Sequence, residues 1–121
     1  AANGLATNDK TISENPDLVR KVVRATRRGI QDTINDPESA FNTALLMLPD
    51  AGTLDRELQM SVLMETLKLM QPRAGDPAAD QPLGWTDKQV WETTQDFLLE
   101  AKLIPKKGNI EEMFTNDFIE R

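Results

Sequence analysis

"ENPDLVRKVVRATRRGIQDTINDP", residues 14–37, decides the fold class. Asn15 followed by Pro16 reads as an N-cap with proline at the first helical position, where its missing N–H does no harm. Asp17 lies near the positive end of the helix dipole. Beyond them Leu18, Val19, Val22, Val23, Thr26, Ile30 and Ile34 recur at steps of three and four, the apolar stripe of a helix ending near Asn35. Arg20, Arg24, Arg27 and Arg28 repeat at the same steps on another face.

Asp36 and Pro37 repeat the cap-and-proline signal. They open a shorter helix with Phe41, Ala44, Leu45 and Leu48 inward, stopped by Pro49. "DAGT" is a turn, and Thr53 reads as the N-cap of a helix from Leu54 to Met70. That helix holds too many apolar residues for one stripe, so cover on more than one side is expected. Residues 71–84, with three prolines and two glycines, read as a loop. Thr86 then caps a helix to about Lys102, with Val90, Trp91, Thr94, Phe97, Leu98 and Ala101 facing in. Trp85 is placed as a staple onto Gln89 or Val90. Asn109 with Glu112 at N3 makes a capping box. Upstream, the first ten residues read as a short extended segment between turns, and "TISENP" as a single turn.

The expected fold is mainly α, about five helices with a short N-terminal extended segment, in a single domain over residues 1–121. Its parts are the segment 1–10, three main helices in 11–70, a loop at 71–85 and C-terminal helices in 86–121.

Composition narrows the chemistry. Fourteen Lys and Arg stand against twenty Asp and Glu, a net charge of -6, which repels phosphate polymers. No aromatic residue interleaves the arginine row, so a stacking platform for bases is absent and no nucleic-acid partner is expected. The bland reading of the row is a solvated face making ion pairs with Glu14, Asp17 and Asp32. With neither His nor Cys, imidazole and thiolate chemistry is excluded, and neither a metal site nor a cofactor is expected. The acids of the pairs Asp55 and Glu57, and Glu111 and Glu112, do not share a helix face. Trp91 reads as core, and Met47, Met60, Met64 and Met70 as gap-filling. The start "AANGLATNDK" lacks the basic and apolar regions of a signal peptide. An enzyme is not expected.

Three stretches in order, "NGLATNDKTISENPDLVRKVVRATRRGIQDTINDPESA" (3–40), "LGWTDKQVWETTQDFLLEAKLI" (83–104) and "EEMFTNDFIER" (111–121), carry a family resemblance. Together they resemble the C-terminal third of solute-binding proteins of bacterial ABC importers, in the thiamine-pyrimidine-precursor and alkanesulfonate branch of the type II fold. The resemblance implies the C-terminal helical part of lobe one of a type II periplasmic binding protein, with a hinge strand matched by Ala2 to Thr7. In it Leu5 and Ala6 belong to that strand and the helices cover a sheet. Asn3 lies nearest the ligand cleft, with Gly4 letting the backbone pass closely, so these two are the ligand-binding candidates.

The implied function is non-catalytic: delivery of a small pyrimidine-like, flavin-like or sulfonate solute to the importer's membrane subunit. Arg20, Arg24 and Arg27 are the candidates for docking that partner. The implied location is periplasmic, or extracellular with a lipid anchor. Relatives that make the thiamine pyrimidine use a histidine and an iron centre, which a chain without His or Cys cannot supply. The alternative is a self-standing helical interaction module that oligomerises through an exposed apolar helix face.

Overall fold

The computed structural model describes residues 4–48, 50–71, 75 and 79–119 of the chain. It is mainly helical, with five α-helices and no strand among the described residues. The expected helical class is what the chain adopts. Contacts divide the chain into two compact units, one of Ala1–Arg24 with Gly75–Arg121, the other of Ala25–Ala74.

Helix α1 (Asp9–Glu14) is capped by Asn8, whose side chain accepts the Thr11 N–H. It begins inside the segment expected to be extended, because Asn8 and Asp9 place a cap and an acid where the free N–H groups of a first turn need them. Helix α2 (Pro16–Asn35) occupies the span that the caps indicate. Asn15 joins the two through its main chain: its N–H closes α1 on Thr11 O, and its C=O accepts the Leu18 and Val19 N–H groups. Of the apolar stripe, Val19, Val23, Thr26, Ile30 and Ile34 are half-buried, while Leu18 and Val22 are exposed.

In the unit of residues 25–74, α3 (Pro37–Leu46) packs against α4 (Arg56–Met70). Phe41 on α3 and Leu67 on α4 are buried. Arg56 holds the pair from the side, its guanidinium 5.0 Å from the Phe41 ring centroid and 2.6 Å from Asn42 Oδ1. Ala44 and Leu48, expected inward, are exposed. Asp55, not Thr53, caps α4 by accepting the Leu58 N–H. Thr53 closes a 3-10 turn (Ala51–Thr53) and donates its hydroxyl to Asp50 O.

Helix α5 (Lys88–Glu100) has its N-cap at Asp87 rather than Thr86. It ends in a Schellman turn: the Leu103 N–H bonds Leu98 O at 2.8 Å, the Lys102 N–H bonds Leu99 O, and Lys102 takes φ 57°. A lysine there carries strain that glycine would not. Val90, Phe97 and Ala101, expected inward, are exposed. The chain after α5 covers only the side bearing Trp91, Gln95 and Leu98.

Candidate functional site

On α2 the arginine row is not one uniform wet face. Arg20 and Arg27 lie at the edge of the covered side and are half-buried, whereas Arg24 and Arg28 are exposed. Arg20 donates from Nη1 to Asp17 Oδ1 at 2.9 Å and holds its guanidinium 5.8 Å from the centroid of Phe118. It is therefore engaged by its own helix and by the C-terminal tail. Arg28 lies 3.8 Å from Asp32, a solvated pair worth little. Arg24 is the most open of the three docking candidates.

Two of the stretches that carry the family resemblance, "GWTDKQVW" (84–91) and "FTNDF" (114–118), meet in one place in the unit that holds α5. The Thr86 N–H donates to Asn116 Oδ1 at 3.1 Å, and Asn116 Nδ2 donates back to Thr86 O at 2.9 Å. One amide side chain thus satisfies both main-chain groups of a residue just ahead of the α5 cap. The Thr86 hydroxyl accepts the indole N–H of Trp91 at 3.0 Å. Trp91 stacks on Phe114, with centroids 5.4 Å apart and planes 7° from parallel. Trp85 donates its N–H to Pro82 O, closing the turn that leads into this clip.

One turn along α5, Gln95 is the buried polar residue of the unit. It accepts the Gly108 N–H at 2.6 Å and donates to Gly108 O at 3.4 Å, the same two-way pattern as Asn116. A Cβ on Gly108 would run into the Met113 methyl, so glycine leaves room for that side chain. Asn109 caps the 3-10 turn Ile110–Glu112, and its Nδ2 donates to Glu112 Oε1 at 2.9 Å. Glu112 thus reaches the cap's side chain. Two ion pairs, Lys88 with Glu111 and Lys107 with Asp96, flank these contacts. The hydrogen bond and charge of Glu111, with help from Glu92, raise Lys88 above its ordinary value of 10.5.

Between α5 and residues 104–113 lies a half-open, largely apolar hollow of about 310 Å³, lined by Trp91, Leu98, Ile104 and Met113 with Lys106 and Lys107 at its side. The polar groups of Gln95 in its wall are already engaged by Gly108. Among the described residues no group of three acids, histidines or cysteines is placed to hold a metal, and no helix is long and apolar enough to cross a membrane. Of the two ligand-binding candidates, Gly4 is exposed with open space where a Cβ would be. Asn3 lies outside the described residues. Sequence reasoning missed Gln95 and Asn116. The signal for the first was its place between Trp91 and Leu98 at steps of four and three, and for the second its position between the two aromatic residues of "FTNDF" (114–118).

Comparison with known proteins agrees with the motifs. Residues 1–40 match the family described as NMT1/THI5 like. Over 119 residues the chain is 40% identical to the riboflavin-binding protein RibY of Chloroflexus aurantiacus, a match covering 98% of this chain and 33% of RibY. This chain resembles a portion of an NMT1/THI5-like solute-binding protein. RibY is described as a riboflavin-binding protein, and the chain spans about a third of its length. The aromatic and amide clip lies outside the residues that the family model matches and within the stretch aligned to RibY. No solved structure matches the chain.

Proposed function

We propose that the chain is the C-terminal portion of a solute-binding protein that hands a small solute to an ABC importer and performs no chemistry. The observation that carries this reading is the 40% identity to RibY across 98% of the chain. RibY's name makes a flavin the first solute to test, ahead of a pyrimidine precursor or a sulfonate. Binding works by closure of two lobes on the solute, the ligand stabilising the closed state. In this reading Asn3 and Gly4 stand at the hinge next to the cleft, and the receptor is periplasmic or held outside the cell by a lipid anchor.

The importer's membrane subunit docks on the α2 row. Arg24 carries most of that contact, because Arg20 is already engaged by Asp17 and Phe118. Arg27 supports it from the half-buried edge.

The test starts from the native polypeptide. An antibody raised to this chain is applied to osmotic-shock fluid and cytosol, and the captured polypeptide is titrated with riboflavin, a thiamine-pyrimidine precursor and an alkanesulfonate. A polypeptide of RibY-like length in the shock fluid, saturable by riboflavin, is expected. A cytosolic polypeptide no longer than this chain that binds none of the three would overturn the reading. Charge reversal at Arg20, Arg24 and Arg27 should lower uptake by the receptor while leaving solute binding unchanged.

A second reading, a helical interaction module, is favoured by one observation: α4 and α5 each keep an uncovered apolar face.

A further inference from the structure

Beyond Ile104 the chain is fastened to α5 by side chains. Leu103 and Ile104 still donate their N–H groups to Leu98 O, and Pro105 then brings no N–H to continue. Among the described residues, the bonds that residues 105–119 make from main chain to main chain stay inside that segment: Glu112 to Asn109, Met113 to Ile110 and Ile119 to Asn116. The segment runs back along α5. Lys107 and Gly108 meet Asp96 and Gln95, Glu111 and Phe114 meet Lys88 and Trp91 in the first turn, and Asn116 reaches Thr86 ahead of the cap. None of residues 105–119 is fully buried.

We propose that residues 105–119 are a strap that opens and closes on α5 as one piece while α5 stays helical. The hinge is the Schellman turn, with Lys102 at φ 57°. When the strap lifts, α5 keeps its own main-chain bonds and its Asp87 cap. The strap keeps only its internal turns, and a segment with few buried apolar groups sits at the low end of local stability. The two amide clips stand at its two ends. Each takes up a main-chain N–H: Gln95 that of Gly108 at the hinge end, and Asn116 that of Thr86 at the free end. Between them lie one aromatic stack and the exposed pair of Lys88 with Glu111, which is too weak to hold the strap down by itself. Losing either clip therefore loosens the other. Lifting also takes Phe118 off Arg20, so the state of the strap sets how freely that guanidinium moves.

The Thr86 and Gly108 N–H groups report the motion by native-state hydrogen exchange of the 121-residue chain, followed by NMR. Their protection factors should lie within about threefold of each other and at least about tenfold below those of amides in the middle of α5. Asn116→Ala, at the free end, should speed exchange at Gly108 about tenfold, and Gln95→Ala should speed Thr86 by a like factor. Amides in the middle of α5 should keep their wild-type rates in Asn116→Ala. Equal exchange of Thr86, Gly108 and the α5 interior in the wild type overturns the proposal, because the segment then opens only with the helix. A Gly108 rate unmoved by Asn116→Ala overturns it too, leaving two separate clips. Absence of protection at either N–H in the wild type removes the closed state itself. Where a variant fails to fold, the wild-type comparison of the two N–H groups with the α5 interior decides alone.

Discussion

Asn116→Ala tests whether the clip between α5 and the tail holds that unit together. The amide makes two hydrogen bonds, at 3.1 and 2.9 Å, both to the main chain of Thr86 and both part-buried. A hydrogen bond contributes a net ~1 kcal/mol, and losing this side chain strips Thr86 N–H and C=O of their partner together. Water reaches a half-buried residue and recovers part of that loss, so the expected destabilisation is about 2 kcal/mol. For a domain of this size that lowers Tm by roughly 5–10 °C. Trp85 and Trp91 both lie in this unit, so tryptophan emission during thermal or urea unfolding reports on it directly. Asn116→Asp should fall between wild type and alanine, since it keeps the acceptor for Thr86 N–H but loses the donor to Thr86 O. A tryptophan-detected midpoint within about 1 °C of wild type for Asn116→Ala would refute the reasoning, because two hydrogen bonds to one residue cannot vanish without effect.

Leu67→Ala, at a buried α4 position, should destabilise the unit of residues 25–74 by about 2–4 kcal/mol, read by circular dichroism at the helix band. Lys102→Gly should raise stability by roughly 1 kcal/mol in urea unfolding, because glycine takes φ 57° without a Cβ clash. Lys88 has a raised folded value, so its pairing with Glu111 stabilises fully below the ordinary value of 10.5 and is lost as pH rises through the raised value. Wild type should therefore lose stability above about pH 10.5 relative to Lys88→Met, which lacks this titration, in parallel pH melts.

The sequence made the helices legible and their covered sides much less so. The caps at Asp36 and the span of α2 follow from asparagine, aspartate and proline, whose effects are local. Two cap assignments slipped in the same way: Thr53 yields to Asp55 and Thr86 yields to Asp87. In each case a carboxylate a residue or two further on outcompetes the hydroxyl for the first free N–H groups. The displaced Thr86 then gains another role, accepting from Trp91.

Periodicity identified apolar positions on α5 but not which of them meet a neighbour. Val90, Phe97 and Ala101 share the pattern with Trp91 and Leu98, and only the latter side receives the tail. The arginine row shows the same limit. Charge spacing marks Arg20, Arg24 and Arg27 alike, yet Arg20 faces Phe118 from the far end of the sequence. No local pattern announces such a partner, because it depends on where the tail returns.

The contact between Gly108 and Met113 bears on how this sequence changes over time. Any side chain at 108 would have to take the space of the Met113 methyl, and a flexible thioether end can withdraw at small cost. Position 108 is therefore open to a small side chain so long as 113 is flexible enough to move aside. Among descendants of this chain, alanine or serine at 108 should be found beside methionine at 113, and a stiff β-branched or aromatic residue at 113 should hold 108 as glycine, although five positions separate the two in the sequence.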